Sequence, residues 1–194
     1  MAIFEVRLRA RETGRWNLLK QRETLAGDCT RIRNGENMLS LAGIVSARAG
    51  LQQIQLPEMI RLSPKLSIMR EEVTVGLFAR VMQGYVFEGH NSNYLQTILA
   101  DSSETNNALT YASLLDAREF ARRLSGITDR QFRVQTEDEW LTAENQLSGG
   151  NWTWTETKYS QNTYVLRCLN FANRSINYPE SRYFNFAVRL VEDK

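Results

Sequence analysis

The densest group of side chains with recognition chemistry lies between Asn151 and Ala187. This stretch holds six asparagines, four tyrosines and three serines: Asn151, Asn162, Asn170, Asn173, Asn177, Asn185, Tyr159, Tyr164, Tyr178, Tyr183, Ser160, Ser175 and Ser181. Tyrosine supplies rigid contact area, while serine and asparagine supply adaptable hydrogen bonds. The mixture is too polar for a core and too aromatic for a linker, so it predicts a binding surface rather than a catalytic centre.

Thiols and imidazoles, the usual groups of metal and nucleophilic chemistry, are scarce. The chain has two cysteines, Cys29 and Cys168, and one histidine, His90. Neither the number nor the spacing of the cysteines predicts a zinc site or a disulfide framework, and two buried free thiols are the favoured interpretation. His90 beside a serine could act as a general base, but no orienting partner is evident, and an exposed loop histidine is favoured.

Composition and charge are those of an ordinary globular protein. The 194 residues are 42% hydrophobic and 24% charged, which allows one core with or without an N-terminal extension. A net charge of +2 favours no acidic partner, and the early arginines (Arg7, Arg9, Arg11, Arg15) suit the solvent face of a strand better than a nucleic-acid stripe. We expect no nucleic-acid partner and no membrane insertion, and no secretory signal is visible.

The elements that must position these residues begin with β-structure. Residues 3–11 alternate between apolar and charged side chains, which predicts a half-buried strand. Gly14 offers a turn, and Trp16-Asn17-Leu18-Leu19 could return as the partner strand. Residues 26–67 predict short strands and loops. Together these patterns predict an N-terminal β-rich extension over residues 1–67.

Three helices are predicted in the middle of the chain. Thr74 begins the first, with Val75, Phe78 and Met82 on one side and Gly84 as its stop. The polar residues 89–107 predict a long loop. A second helix covers residues 112–124 and ends at Gly126. At the third, Thr136 and Glu139 match a capping box, which explains the acidic residues 137–139 better than a catalytic carboxylate cluster. Strands and irregular loops are expected after Gly150.

Several short motifs together resemble one known family. They are Glu72-Val73-Thr74; Ala117, Phe120 and Leu124 on the second helix; residues 132–140, where Gln135 stands for a proline; Asn151-Trp152-Thr153-Trp154-Thr155; Val165-Leu166-Arg167; Arg174, Pro179 and Arg182; and Ala187-Val188-Arg189. In this order they resemble the formylglycine-generating, sulfatase-modifying type of domain over about residues 68–192. The resemblance implies an α+β, C-type lectin fold for residues 68–194.

The enzymes of that family depend on groups that this chain lacks. The namesake oxidases bind copper through a C-terminal cysteine pair, and their relatives bind iron through several histidines. Here Cys168 occupies a glycine position, the motifs leave Cys29 outside the match, and His90 is the single histidine. We therefore expect no catalysis, no metal and no cofactor. No compact Glu/Asn cluster suggests calcium-dependent sugar binding. A family enzyme with an unrecognised site, or a structural virion or assembly protein, stays open.

The C-terminal segment also resembles the variable proteins of diversity-generating retroelements, which include phage tropism determinants and archaeal-virus relatives. In these proteins adenine-directed mutagenesis rewrites Asn codons, which yields Tyr, Ser, Ile, Phe and similar residues. The resemblance implies a variable binding segment over about residues 151–189 and a protein or cell-surface ligand, and it leaves homo-oligomerisation open. Ordinary family members are rich in Asn, Tyr and Arg here too, because side chains satisfy the irregular backbone.

The resemblance assigns roles to two sets of residues. The ligand-binding set is Tyr159, Asn162, Tyr164, Asn170, Asn173, Ser175, Asn177, Tyr178, Ser181, Tyr183, Phe184 and Asn185, with Tyr178, Tyr183 and Phe184 as aromatic anchors. The supporting scaffold is Trp152, Trp154, Arg167, Arg174, Arg182 and Arg189, together with Phe171. Because both tryptophans are expected beneath the surface, replacing Trp152 with alanine should unfold the domain.

Overall fold

Two four-stranded sheets organise residues 54–194, the part of the chain that the computed structural model describes. The strands are β1 Met59–Ser63, β2 Leu66–Met69, β3 Gln131–Val134, β4 Trp152–Lys158, β5 Tyr164–Cys168, β6 Phe171–Asn177, β7 Phe186–Ala187 and β8 Leu190–Asp193. The helices are α1 Val75–Val81, α2 Ser92–Ala100, α3 Leu114–Thr128 and α4 Glu137–Ala143. The strand expected over residues 3–11, the turn at Gly14 and the possible partner at residues 16–19 lie outside the described residues.

The first sheet joins the beginning and the end of the described chain. Its order is β1-β2-β8-β3, and all its pairs are antiparallel. The second sheet has the order β6-β5-β4-β7, with β4 and β7 parallel. Because β1 and β2 pair with the sheet that contains β8, residues 59–67 share a sheet with the C-terminus, and the boundary predicted after residue 67 falls inside β2. The mixture of helices and strands confirms the α+β prediction.

The first and third predicted helices, α1 and α4, begin at the capping residues that the sequence indicates. Thr74 accepts the backbone N–H of Leu77 at 3.3 Å at the start of α1, and Gly84 adopts a left-handed φ of 74° shortly after its end. At α4, Thr136 and Glu139 form both hydrogen bonds of the capping box. These local side-chain bonds satisfy backbone donors that a helix start exposes. The sequence pattern was therefore sufficient to predict where both helices begin.

The long loop predicted over residues 89–107 is wrong, because it contains α2 and a short 3₁₀ turn over Ser102–Glu104. Leu95 is fully buried on α2, and Ile98 and Leu99 pack partly against the core. Their spacing of three and four residues is a helical signal that the many polar neighbours obscure. Asn91 precedes α2 in the left-handed conformation and makes no side-chain cap bond.

The prediction that Gly126 ends the second helix is also wrong. Helix α3 continues to Thr128 and is ended by Asp129, which adopts the left-handed conformation. The hydroxyls of Ser125 and Thr128 bond to carbonyls four residues earlier, and Gly126 lies inside the helix with open space around it. At the other end, Ser113 and Asp116 form a capping box, which defines the start of α3.

One hydrophobic core connects α1 and α3 with strands of both sheets. Phe78 and Phe120 stack at 5.1 Å between α1 and α3. Trp154 of β4 is fully buried and packs edge-on against Phe186 at 5.2 Å. Trp152 is different, since it is only partly buried at the margin of this core. The expectation that both tryptophans are buried is therefore wrong for Trp152, whereas Trp154 is buried as expected.

The ion pair between Arg130 and Glu192 predicts that the fold is less stable in acid. Glu192 of β8 is buried and accepts two hydrogen bonds from Arg130, which lower the pKa of its carboxyl below 4.5. A lowered pKa in the folded state adds stability at neutral pH, and that stability is lost as the pH falls from about 4.5 through the folded value. Because Arg130 is partly exposed, we expect a contribution of about 1 kcal/mol.

Urea unfolding at pH 7 and pH 3 checks this contribution. The wild type should lose more stability between the two pH values than Glu192→Gln, which has no carboxyl to titrate. Equal losses in both proteins would show that the pair contributes nothing.

Candidate functional site

The irregular segment between β6 and β7, residues 178–185, is anchored by one buried arginine. Arg182 donates two hydrogen bonds of 2.8 Å to the carboxylate of Asp116, and both side chains are almost completely buried. Arg182 also donates to the carbonyls of Glu88 at 2.7 Å and His90 at 3.4 Å. Asp116 is at the same time the capping-box residue of α3. The arginine therefore fixes the segment to a helix start and to the loop before α2.

Backbone hydrogen bonds hold the same segment along its length. The carbonyl of Pro179 accepts the N–H groups of Leu114 and Leu115 at the start of α3. The carbonyl of Tyr183 accepts the N–H of Tyr111 at 3.0 Å, and that of Asn185 accepts the N–H of Trp152 at 2.8 Å. A segment without regular secondary structure is thus bonded to neighbouring parts of the fold at several points, so its exposed side chains stand on a defined backbone.

The three predicted anchors protrude from this segment. Tyr178 is 56% exposed, Tyr183 45% and Phe184 69%. Tyr183 also packs edge-on against Phe186 at 4.9 Å, so part of its ring supports the fold. Ser181, between Tyr178 and Tyr183, and Asn185, directly after Phe184, are half-buried. The structure brings these predicted ligand-binding residues together on one short stretch of chain.

Strand β6 carries a second group of predicted residues. Within the described residues it is an edge strand that pairs with β5 alone, and its seven residues span about 20 Å. Asn173 is exposed, Ser175 and Asn177 are half-buried, and Asn170 is exposed in the turn before the strand. The assignment of Phe171 to the buried scaffold is wrong, because its ring is exposed and stacks at 5.4 Å on the partly buried Trp152.

The turn between β4 and β5 contains two predicted residues, Tyr159 and Asn162, and both are exposed. Tyr164 follows at the start of β5, where it is paired with Asn177 of β6. Its assignment to the ligand-binding set is not supported, because its side chain is 8% exposed, belongs to the hydrophobic core and lies beneath the guanidinium of Arg118. The aromatic core, rather than a partner, accounts for this tyrosine.

We call the exposed and half-exposed members of these groups the C-terminal surface. It consists of Tyr159, Asn162, Asn170, Phe171, Asn173, Ser175, Asn177, Tyr178, Ser181, Tyr183, Phe184 and Asn185.

Two of the other scaffold arginines are buried as predicted, and one is not. Arg167 is buried, lies 4.8 Å from the ring centre of Trp140 and donates to the carbonyl of Ala172. Arg174 is 53% exposed and lies 3.0 Å from the carboxylate of Glu137. Its place on an edge strand explains this exposure, so Arg174 supports β6 from the outside.

Arg189, between β7 and β8, ties the end of β2 to the loop after α4. Its guanidinium donates to the carbonyls of Met69 at 2.9 Å, Ser148 at 2.6 Å and Arg70. Burial lowers the pKa of Arg189 to about 10, although the nearby carboxylate of Glu72 opposes this shift. The role expected for this arginine, tying irregular backbone together, agrees with these contacts.

Glu72, the first residue of the Glu72-Val73-Thr74 motif before α1, holds the chain at the start of β4. Its buried carboxylate accepts the backbone N–H of Asn151 at 2.9 Å and the side-chain amide of Asn151 at 2.7 Å. Gly149 has a φ of 122°, and a Cβ at that position would lie 2.5 Å from a Glu72 oxygen. The carboxylate therefore positions the start of β4, from which Trp152 and Trp154 follow.

The groups that could support redox or metal chemistry are not assembled in the described residues. Cys168 is buried and its thiol donates to the carbonyl of Gly150 at 3.3 Å. His90 is exposed. In residues 54–194 no group of three or more His, Cys, Asp or Glu side chains could hold a metal ion. Cys29 lies outside this range. The same residues include no helix that is long and apolar enough to cross a membrane.

Sequence reasoning missed two tyrosines beside the C-terminal surface. Tyr94 of α2 is 52% exposed, and its ring stacks on that of Tyr111 at 5.2 Å. Tyr111 in turn bonds to the backbone of Tyr183. A signal was present in the Leu95, Ile98 and Leu99 spacing, because recognition of α2 would have placed Tyr94 on its outer face.

The comparisons with known proteins agree on a fold. The sequence matches the family model described as "Sulfatase-modifying factor enzyme 1-like domain" over residues 20–191. This match is longer than the motifs indicate, and it includes Cys29. Among curated proteins, none matches the chain.

CarF, PvdO and variable protein 1 of Treponema denticola are among the solved structures that are similar to this chain. CarF has a TM-score of 0.53 and 15% identity, covering 66% of this chain and 86% of CarF. PvdO from Pseudomonas aeruginosa has a TM-score of 0.51 and 12% identity, covering 66% of this chain and 80% of PvdO. Variable protein 1 of Treponema denticola has a TM-score of 0.46 and 13% identity, covering 66% and 84% of the two chains. At these identities the likeness concerns the fold alone.

Proposed function

The chain belongs to the family of sulfatase-modifying factor enzyme 1-like domains, with their variant of the C-type lectin fold, and from this premise we propose that it is a recognition protein whose C-terminal surface binds a protein partner. The proposed role is non-enzymatic. We further propose that the surface is diversified, as in the variable proteins of diversity-generating retroelements.

The distribution of exposed apolar side chains carries the proposal. Ten large hydrophobic residues are exposed in residues 54–194, and six of them lie between residues 159 and 184. They are Tyr159, Phe171, Ile176, Tyr178, Tyr183 and Phe184. Single exposed apolar residues are ordinary, but their concentration in one segment, with polar residues between them, favours an interaction site. Aromatic anchors of this kind dominate the binding free energy of protein interfaces.

The shape of the surface favours a protein over a small molecule. Small ligands bind in concave sites that enclose most of their surface. Tyr178 and Phe184 instead project with more than half of their area exposed, and such side chains suit insertion into pockets of a partner. Charged groups are few, since Arg182 is buried against Asp116, Arg174 lies beside Glu137, and Glu180 is the one exposed charged residue of the segment 178–185. The centre of a protein interface is depleted of charge in the same way.

The sequence supports a binding role over the family's oxidation chemistry. Copper chemistry in this family requires two convergent thiolates, and iron chemistry requires several imidazoles. The chain has two cysteines and one histidine. The buried thiol of Cys168 is bonded to a backbone carbonyl, and His90 is exposed outside the core. These residues do not match the ligand sets of either chemistry.

The division between exposed and buried residues supports diversification. Several residues that single or double changes of an Asn codon can produce, among them Asn173, Tyr178 and Phe184, occur at exposed positions, whereas Tyr164 is buried. Trp154, which changes of the two adenines of an Asn codon cannot produce, is fully buried. A surface rewritten at Asn codons needs this arrangement, because random substitution of the buried positions would destabilise the fold.

Photocrosslinking tests the binding role. The full chain carries benzoylphenylalanine in place of Phe184, or in place of the exposed Leu141 of α4 as a matched control, and is irradiated with intact cells from the source of the gene. We expect a discrete adduct with another protein at position 184, which adding Tyr178→Ala to the same chain should reduce at least tenfold, and no adduct at position 141. The melting temperature should change little, because Tyr178 is exposed.

Two results would contradict the proposal. Equal labelling at positions 184 and 141 would show that residue 184 has no specific partner. An adduct at position 184 only with a second copy of this chain would make the surface an assembly interface.

A further inference from the structure

Tyr94 and Tyr111 form an aromatic pair next to the C-terminal surface but far from it in sequence. Their rings are stacked at 5.2 Å with an interplanar angle of 19°, and Tyr94 is 52% exposed. Tyr111 bonds to the carbonyl of Tyr183 through its backbone N–H. A continuous series of contacts thus runs from Tyr94 through Tyr111 to Tyr183, and Phe184 is the next residue.

The backbone around this pair is held in an uncommon conformation. In the described residues three non-glycine residues have a positive φ: Asn91 at 59°, Tyr111 at 56° and Asp129 at 55°. Asp129 ends α3, but the other two both bond to the C-terminal segment. The side-chain amide of Asn91 donates to the carbonyl of Arg182 at 2.7 Å, and Tyr111 donates to that of Tyr183. Such strain persists where surrounding contacts fix it, often at ligand sites.

We propose that Tyr94 and Tyr111 are a fixed part of the binding surface, which a partner contacts together with the C-terminal segment. This inference rests on the proposed function. The tyrosine pair lies outside the segment that diversification would rewrite, so it supplies the same contact area to every variant. The C-terminal residues then determine which partner is bound, and the pair contributes affinity that does not depend on their identity.

The occupant that fits this extended surface is a folded protein with an uncharged contact face. Tyr94, Tyr111, Tyr183 and Phe184 are not acidic or basic residues, so they favour an uncharged contact face on the partner, and the exposed Glu180 lies three residues before Tyr183. A standard interface covers about 800 Å² on each partner. A footprint of that size centred on Tyr183 extends to Tyr111, whose backbone bonds to Tyr183, and to Tyr94, whose ring stacks on Tyr111.

A display experiment with the full chain tests the inference without knowledge of the natural partner. Positions 173, 175, 177, 178, 181, 183 and 184 are randomised to the residues that Asn codons yield. The library is selected against hen egg lysozyme as a defined folded probe. Tyr94→Ala is then introduced into each selected binder, and Leu141→Ala is introduced separately as the exposed control. Thermal unfolding of each variant confirms that it is folded.

We expect Tyr94→Ala to weaken binding to lysozyme at least tenfold in most binders, and Leu141→Ala to change it less than twofold. Binders that are insensitive to Tyr94→Ala would overturn the inference while leaving the proposed function intact. A library that yields no binder to lysozyme or to a second folded probe would contradict the proposed function and the inference together.

Discussion

Replacing Arg182 with methionine should destabilise the protein by about 3–5 kcal/mol, because it leaves a buried carboxylate without its partner. Asp116 is almost completely buried, and Arg182 supplies two hydrogen bonds of 2.8 Å to it. The carbonyls of Glu88 and His90 lose a donor in the same variant. Chemical denaturation of the full chain measures the loss.

Arg174→Met is the matched control for this substitution. Arg174 is also an arginine of the predicted scaffold, but its side chain is mostly exposed beside Glu137. The carboxylate of Glu137 is buried, but Arg167 remains 3.6 Å from it in this variant, so the control should lose less stability than Arg182→Met. A loss in Arg182→Met no larger than in Arg174→Met would contradict the anchoring role.

A double-mutant cycle isolates the pair itself. Asp116→Asn keeps a side-chain oxygen for the capping box of α3 and removes the charge. If the charges stabilise each other, the double variant with Arg182→Met should be more stable than the sum of the two single losses predicts. Additive losses would assign the effect of Arg182 to its carbonyl contacts alone.

Trp154→Ala should be comparably damaging, at about 3–5 kcal/mol, since it removes a large, fully buried side chain from the core. The indole N–H donates to the carbonyl of Ala112 at 2.8 Å, and the ring packs against Phe186. The variant therefore creates a cavity and leaves a buried carbonyl unpaired just before α3. Thermal unfolding followed by circular dichroism gives the change.

Trp152→Ala provides the comparison within the same strand. Trp152 is partly buried and stacks on the exposed ring of Phe171, so its removal opens a surface groove rather than a cavity. We expect a clearly smaller loss than for Trp154→Ala. If Trp152→Ala were the more damaging of the two, the placement of the core beneath β4 would be wrong.

Local signals in the sequence predicted the parts of the fold that depend on local bonds. The Thr136–Glu139 capping box and the Thr74 helix start are set by residues three apart, and both form as predicted. The end of α3 was predicted wrongly, because Asp129 can adopt the left-handed conformation that glycine usually supplies. Helix α2 was missed because its short apolar stripe lies among polar residues.

The sequence predicted correctly which side chains near the C-terminal surface are buried only for some residue types. Trp154 and Arg189 are large residues, and their burial agrees with the prediction. Tyr164 and Phe171 are both aromatic, but Tyr164 is buried and Phe171 is exposed. Tyr164 faces the core from β5, whereas Phe171 lies at the end of an edge strand. That difference depends on strand register, which the motifs do not determine.

Partners from distant parts of the chain were outside the reach of sequence patterns. The Arg182–Asp116 pair spans 66 positions, and the bond between Tyr111 and Tyr183 joins the end of a loop to the C-terminal segment. These contacts explain how residues 178–185 keep a defined conformation without regular secondary structure. They also connect the predicted binding residues with Tyr94 and Tyr111.

The most direct test of a diversified binding surface is to sequence the DNA around the gene. We predict a near-identical repeat of the last coding segment beside a reverse-transcriptase gene. The two copies should differ only at adenines, and the mismatched codons should be those of exposed residues such as Asn173, Tyr178 and Phe184. The codons of Trp154, Arg182 and Arg189 should be identical in both copies. Absence of the repeat, or mismatches at these buried positions, would contradict the account.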